Sequence, residues 1–579
     1  MILTSRSLLL LSIVAVATCR TPSPEQAVAP THRATFPAEW RFTSGASASF
    51  APNAMVSSND SLASAAGVEI MRRGGNAVDA AVAVGFALAV TYPEAGNLGG
   101  GGYMVIRMAD GRTAALDYRE RAPLAATRDM YTQTYDSVPQ ASLVGHLASG
   151  VPGAVAGMVE AHSKYGALPL ADVLAPAIRL ADSGFTVDSA LAHSIESARD
   201  LIGAYAGSTA FLPNGAPLAR GSRLVQPDLA RTLRRIAERG EPGFYEGETA
   251  RLLVEEMRRG GGIITEEDLR RYRPAWRGAL EGAYRGYRLI AMPPSSSGGV
   301  TTLETLNILE TFPQLPAFGS AGYTHFLTEA FRRAFIDRNT RLGDADFVAV
   351  PVRHLTSDSY ARTLAATIDV ARATETGAFD SAAREGSHTT HYSVVDAQGN
   401  AVATTTTING LYGSGVFIPG AGFFMNNEMD DFTTRPGQPN LFGLIQGETN
   451  AIAPAKRMLS AMSPTIVLDS AGRVLLVVGG RGGPRIISST LQVIVNVIDH
   501  HMTLGDALAA PRIHHQAWPD TLRYEENGLS SAVVDSLRTM GHAVSPGRAS
   551  GLVKAIMRAP DGGWHGAYDP RSTGGAVGY

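Results

Sequence analysis

Thr389 heads the run Thr389-Thr390-His391-Tyr392-Ser393-Val394-Val395, whose alternation predicts a β-strand. The residues before it, Thr374 to His388, are apart from Phe379 and His388 all Gly, Ala, Ser, Thr and charged residues with no apolar period, which predicts an exposed loop. A cut between His388 and Thr389 would place a threonine hydroxyl beside a new α-amine. The hydroxyl alone is a weak nucleophile. An α-amine, with an unperturbed pKa of about 7.7–8.0, is a base suited to work near neutral pH. An ordinary strand threonine would look the same in isolation, so the neighbours must decide.

Gly482-Gly483 follows a predicted strand, Val474 to Val478. Adjacent glycines let backbone N–H groups face a developing oxyanion, and they also suit a plain tight turn before a helix. Asn426-Asn427-Glu428-Met429-Asp430-Asp431 could be a solvated acidic turn; it lacks the spacing of an EF-hand calcium loop. Arg119 closes a predicted hairpin and could be a surface arginine. The glycine run Gly99 to Gly102 precedes a strand rather than a helix, and no GK[ST] follows. It reads as close backbone packing, not a nucleotide loop. There is no G-x-S-x-G elbow and no H-E-x-x-H pair. His500-His501 and His514-His515 are immediate neighbours, the second pair without a carboxylate at useful spacing, and both read as structural.

Three segments in order, T-T-H-Y-S-V-V-D from Thr389, G-N-A-V-A from Gly399 and N-N-E-M-D-D-F from Asn426, resemble the γ-glutamyltransferases, self-cleaving N-terminal-nucleophile hydrolases. The resemblance runs from about Asn53 to Tyr579. It implies that Thr389 is nucleophile and base, that Thr407 bonds the nucleophile and assists self-cleavage, and that Gly482 and Gly483 form the oxyanion hole. Arg119 and Ser460 would hold a substrate α-carboxylate; Asn409, Glu428 and Asp431 would accept from its α-ammonium. Two positions depart from the family pattern: Ala461 where a second serine is common, and Phe442 where a lid tyrosine often sits. The lid segment itself, Pro436 to Gly443, is present, which favours γ-glutamyl substrates over those of the related cephalosporin acylases.

The implied activity is transfer of the γ-glutamyl group of glutathione and related compounds to water, amino acids or peptides, with no cofactor and no metal. The implied form is a heterodimer of a large subunit, 46–388, and a small one, 389–579. Two alternatives stand beside it: an acylase of the same fold acting on glutaryl or cephalosporin-type substrates, and a lipoprotein that binds γ-glutamyl peptides without turnover.

The elements that must position these residues follow from periodicity. Ser61 to Val90 predicts two helices broken at Arg72-Arg73-Gly74-Gly75-Asn76, the second apolar on nearly every face and therefore buried. Four hairpins are predicted, at Tyr103–Arg119, His391–Ile408, Thr465–Val478 and Val553–Tyr568. Their eight or so strands suffice for two stacked sheets. Helical patterns at Leu168–Ser183, Asp228–Glu238, Glu248–Arg258, Thr301–Glu310, Thr324–Thr340 and Ser488–His500 would lie outside them. The expected fold is α+β, a four-layer α-β-β-α sandwich. Met292 to Gly299 is a stiff turn into a helix that resembles a family segment near the active site.

With 45% hydrophobic and 18% charged residues, the 579-residue chain can build a large core. A net charge of −3 with interspersed signs excludes nucleic acid as an expected partner. Arg6 followed by the short apolar run Leu8 to Ala17 predicts an export signal. The sole cysteine, Cys19, follows it as in bacterial lipoprotein signals, so 1–19 is the expected signal and Cys19 the expected lipidation site. Residues 20–45, rich in Pro, Ala, Ser and Thr, predict a flexible tether, and the expected location is periplasmic and membrane-anchored.

Overall fold

The structure is a computed structural model that describes residues 34–134, 137–206, 209–376, 389–548 and 550–579. Cys19, His388 and the first part of the expected tether lie outside the described residues.

Two seven-stranded antiparallel sheets form the centre. Their strands in chain order are β1 (Ser49–Ala51), β2 (Met55–Ser58), β3 (Gly101–Arg107), β4 (Thr113–Tyr118), β5 (Ala275–Arg277), β6 (Leu280–Tyr284) and β7 (Tyr287–Ala291). They continue with β8 (Thr390–Val395), β9 (Ala401–Thr407), β10 (Thr465–Leu468), β11 (Val474–Arg481), β12 (Leu552–Arg558), β13 (Trp564–Tyr568) and β14 (Gly575–Gly578). The first sheet runs β14-β2-β8-β9-β3-β4-β5 and the second β1-β13-β12-β11-β10-β7-β6. Each sheet therefore mixes strands from both sides of Thr389.

The strand alternation sorts side chains into three apolar layers. Met104, Ile106, Val394 and Val402 point outward into a helix-covered core. Tyr103, Val105, Val395 and Ala403 point inward and meet Ile290, Ile466, Val477 and Ile556 of the second sheet. Leu289, Val467, Leu476 and Val553 face a second helical layer. Strands covered on both faces need apolar residues at every position, which is why these runs are nearly continuous in the sequence.

The outer layer of the first sheet includes α1 (Ser61–Arg72), α2 (Ala77–Thr91), α3 (Ala154–Tyr165), α4 (Leu170–Ser183), α5 (Pro227–Arg239) and α6 (Gly247–Arg259). The layer on the second sheet includes α7 (Gly298–Glu310), α8 (Ala321–Arg341) and α9 (Arg485–Ile498). All fifteen residues of α2 are buried, as its all-round apolar sequence requires. Asn76 restarts the chain after the glycines: its Oδ1 accepts the Val78 N–H at 2.8 Å, and Asp79 accepts the Asn76 N–H at 2.9 Å. All four expected hairpins and all the expected helices are present. The count of eight strands falls short of fourteen, because β1, β2, β5, β6, β7 and β14 add to the hairpins. Most of these are short, and Ala275–Arg277 is half-buried along its whole length, so no strong alternation marks it.

Candidate active site

Thr389 stands one residue before β8 and is buried, 4% exposed. Thr390 pairs with Thr406 across the sheet, so one further step of the register sets Thr407 opposite Thr389. Thr407 Oγ1 accepts the N–H of Asn409 at 2.8 Å. Asn409 adopts φ 72°, a left-handed conformation that asparagine tolerates, and turns the chain out of β9. Its Nδ2 donates to the Asn427 carbonyl at 3.1 Å. Asn427 Oδ1 in turn accepts from Gly410 at 2.7 Å, and Asn426 Nδ2 donates to the carbonyls of Gly99 and Gly150 at 2.7 and 2.8 Å. The two asparagines thus fasten the next segment to the end of β9 and to the glycine run.

That segment, Glu428–Asp431, is a single 3-10 turn with all four residues buried. It is therefore not a solvated acidic turn. Arg119, 1% exposed at the end of β4, reaches into it and is not a surface residue. Arg119 Nη1 lies 2.8 Å from Glu428 Oε2 and 3.6 Å from Glu120, while Nη2 pairs with Asp431. Burial opposes the Arg119 charge, but Glu428, Asp431 and Glu120 outweigh it and hold its pKa above the usual value. Burial also pushes the Glu428 carboxyl well above its usual range, against the pull of Arg119, and lifts Glu120 to about 7. Among the described residues neither Glu428 oxygen accepts a well-formed hydrogen bond, so the Arg119 guanidinium meets it as a charge partner. Asp430, raised by burial to about 7, accepts from Ser142 Oγ at 2.8 Å and from the Leu441 N–H at 2.7 Å, which ties the lid segment to the acidic turn.

β11 ends at Arg481 and delivers Gly482 and Gly483. Their φ values of +132° and +58° favour glycine, and a Cβ on Gly483 would come within 2.4 Å of the Phe442 ring. Arg485 and Ile486 close the turn by donating to the Gly482 and Gly483 carbonyls at 3.3 and 3.0 Å, leaving both glycine N–H groups outside the turn's own bonding. Ser460 Oγ accepts the Met462 N–H at 3.1 Å, so its own proton is free for a ligand. The turn expected near the site does come there: Ser297 N and Oγ both donate to the Ser460 carbonyl, at 2.8 and 2.5 Å.

One pocket gathers Thr389, Thr407, Asn409, Arg119, Glu428, Asp431, Ser460, Ala461, Phe442 and Gly483. Gly482, its neighbour in the turn, also borders a second cavity of about 1220 Å³ beside Tyr92, Glu94, Arg481 and Arg548. Sequence reasoning missed Arg338, Glu120, Asp430 and Gln446. Glu120 could have been suspected from its place beside Arg119. Arg338 carries no local signal, since it lies within a long mixed helix and reaches the pocket only through tertiary packing. The second histidine pair also needs correction: His515 Nε2 lies 3.1 Å from Asp520, so a carboxylate does reach it. Among the described residues one cluster has metal-ligand chemistry, His325, Glu329 and His542. Its rings bond each other at 2.8 Å, and Glu329 is already taken by Arg332 and Arg333.

A strand-leading threonine between two antiparallel sheets, flanked by a glycine turn, defines an N-terminal-nucleophile hydrolase fold. Comparison with solved structures agrees: cephalosporin acylase from Bacillus halodurans matches with a TM-score of 0.80 at 28% identity, covering 94% of this chain and 99% of that one. The family model of gamma-glutamyltranspeptidase matches residues 63–579, and the chain belongs to that family. The glutathione hydrolase proenzyme of Escherichia coli (strain K12) is 47% identical over 529 residues, 90% of this chain and 91% of that protein. The acylase ACY 1 proenzyme of Pseudomonas sp. (strain SE83) is 42% identical over 536 residues, 90% and 93% of the two chains.

Proposed function

We propose that this chain is a self-processing γ-glutamyltransferase and glutathione hydrolase. The observation that carries the reading is the charge pattern beside Thr389: Arg119 against Glu428 and Asp431 in a buried pocket. That pattern complements an acyl group bearing both an α-carboxylate and an α-ammonium. The Thr389 hydroxyl attacks the γ-carbonyl, and the Thr389 α-amine takes its proton. The developing oxyanion is met by the Gly482 and Gly483 N–H groups. Collapse breaks the C–N bond, and the leaving amine takes up the proton held by the α-amine. Water or an acceptor amine then attacks the γ-glutamyl ester, with the α-amine again as base, and regenerates the threonine.

A glutaryl acylase is the second reading, favoured by the likeness to the acylase ACY 1 proenzyme. A glutaryl group lacks the ammonium and would leave Glu428 and Asp431 facing no cation of the substrate, which argues for the γ-glutamyl substrate.

The test is release of p-nitroaniline from γ-glutamyl-p-nitroanilide and from glutaryl-p-nitroanilide, with and without glycylglycine, by wild type and Thr389→Ala. Wild type should run as two fragments, the smaller beginning at Thr389, and prefer the γ-glutamyl compound. Thr389→Ala should remain one inactive chain; an uncut, active variant would end the proposal. Export and lipidation at Cys19 belong to the same proposal, supported by the signal pattern before it. Labelled palmitate should enter wild type and not Cys19→Ala.

A further inference from the structure

The donor pocket contains a second buried guanidinium. Arg338, on α8, is 1% exposed and lines the pocket with Arg119. All its partners are neutral: Nε donates to Ser297 Oγ at 3.2 Å, and Nη1 donates to Asn339 Oδ1 at 3.0 Å and Gln446 Oε1 at 2.8 Å. Among the described residues no carboxylate lies within 4.0 Å of it and Nη2 makes no hydrogen bond, whereas Arg119 is met by three carboxylates. A cation withdrawn from water without a counterion is strongly disfavoured, so such a group persists where an anion completes its site. Burial lowers its pKa to about 10, and Asp431 only partly offsets that.

We propose that Arg338 is a second, specificity-determining contact for the α-carboxylate of the γ-glutamyl group; the inference rests on the function proposed above. Charge bookkeeping supports the pairing. The carboxylates are gathered on Arg119, and among the described residues Arg338 has none within ion-pair distance. An arriving α-ammonium competes for Glu428 and Asp431 and loosens their hold on Arg119. The α-carboxylate then lies between two guanidinium groups, one released and one with only neutral partners. Ser297 and Gln446 hold Arg338 in register with both halves of the subsite: Ser297 also donates to the Ser460 carbonyl at 2.5 Å, and Gln446 Nε2 donates to the Asp431 carbonyl at 3.0 Å. Ala461 supplies no hydroxyl to this subsite, which leaves more of the carboxylate to Arg338.

A purely structural Arg338, bracing Ser297 and Gln446, predicts different kinetics. The test compares γ-glutamyl-p-nitroanilide with 4-aminobutyryl-p-nitroanilide, the same chain without the α-carboxylate, in wild type, Arg338→Gln and Arg338→Lys. Only self-cleaved, two-fragment protein is assayed. A charged hydrogen bond of about 1.5–3 kcal/mol corresponds to roughly ten- to a hundredfold. Arg338→Gln should raise KM for the γ-glutamyl substrate by that factor with little change in kcat. It should leave kcat/KM for the 4-aminobutyryl substrate within about twofold, and Arg338→Lys should recover part of the loss. Equal losses on both substrates, or an unchanged γ-glutamyl KM, would overturn the assignment. Should Arg338→Gln fail to self-cleave, the ratio of the two substrates in Arg338→Lys decides alone. Wild type inactive on both substrates would instead sink the proposed function.

Discussion

Arg119→Ala removes more than a substrate contact. The guanidinium is the ion partner of Glu428 and Asp431 and lies 3.6 Å from Glu120, all deep in the protein. Taking one member from a buried ion cluster costs about 3–5 kcal/mol, because the remaining charges are left uncompensated. At about 2 cal/mol/K of unfolding entropy per residue, a chain of this size changes by roughly 1 kcal/mol per degree, so Tm should fall by about 3–5 °C. The loss should depend on pH. Without Arg119, Glu120 and Glu428 titrate still higher than the raised values they have in the intact protein. An acid whose folded pKa is raised favours folding when protonated, and that stability is lost as pH rises through the folded pKa. The Tm deficit should therefore be largest near pH 8 and shrink toward pH 5. Differential scanning calorimetry of wild type and Arg119→Ala at both pH values measures it, and adding Glu428→Gln should restore part of the deficit at pH 8. If Arg119→Ala keeps the wild-type Tm at pH 8 and shows only a raised KM, the cluster does not support the fold and this reasoning fails.

Ala461→Ser should lower the γ-glutamyl KM by up to roughly ten- to a hundredfold with little change in kcat, because the added hydroxyl would meet a group remote from the reacting carbonyl; an unchanged KM would remove Ala461 from the subsite. Gly483→Ala should reduce kcat by about a hundredfold or more, since its Cβ falls 2.4 Å from the Phe442 ring at a φ of +58°. Partial recovery in Gly483→Ala/Phe442→Ala would identify the ring as the obstacle, and full activity of the single variant would contradict the geometry. His391, held at 2.8 Å from Thr405 Oγ1 between the sheets, has its pKa pushed down to about 3 by burial and by Lys554. The unfolded chain therefore takes its proton first, and the His391 contribution is present above about pH 6.5 and lost toward pH 3. His391→Gln should flatten the Tm-against-pH curve in that window by a few kcal/mol equivalent; an identical curve would show that another group governs acid unfolding.

The strands and helices that were legible share one property: their side-chain period reflects burial against a single neighbour or complete burial. The hairpin at Thr390–Thr407 announces itself because both strands are rich in β-branched residues, with Asp396 and Asn400 at the turn. The tether, by contrast, ends earlier than composition suggests. Trp40 is buried and its Nε1 donates to the Ala509 carbonyl at 2.9 Å, a contact across 469 positions that no local window could carry. Within the site, Thr389, the glycine pair and the acidic turn stood out as clusters of unusual residues. Arg338 did not, because its meaning comes from the absence of a carboxylate beside it, a fact of three-dimensional packing. The same holds for the direct pairing of Arg119 with Glu428 and Asp431: the residues resembled separate carboxylate and ammonium contacts, and only the structure shows that they engage each other.

The interleaving of the sheets bears on refolding. In the first sheet β8 and β9 lie between β2 and β3; in the second, β10 to β13 lie between β7 and β1. A cut before Thr389 leaves the assembled object unchanged, since neither fragment owns a complete sheet. It changes the order of the reaction that makes the object. The uncut chain assembles by a first-order process, independent of concentration. The cut one, once unfolded, must find its other half by collision, at a rate that falls with dilution. The cut form therefore persists through the height of its unfolding barrier rather than through a ready equilibrium with its parts. Each molecule is built once and lasts as long as it avoids coming apart.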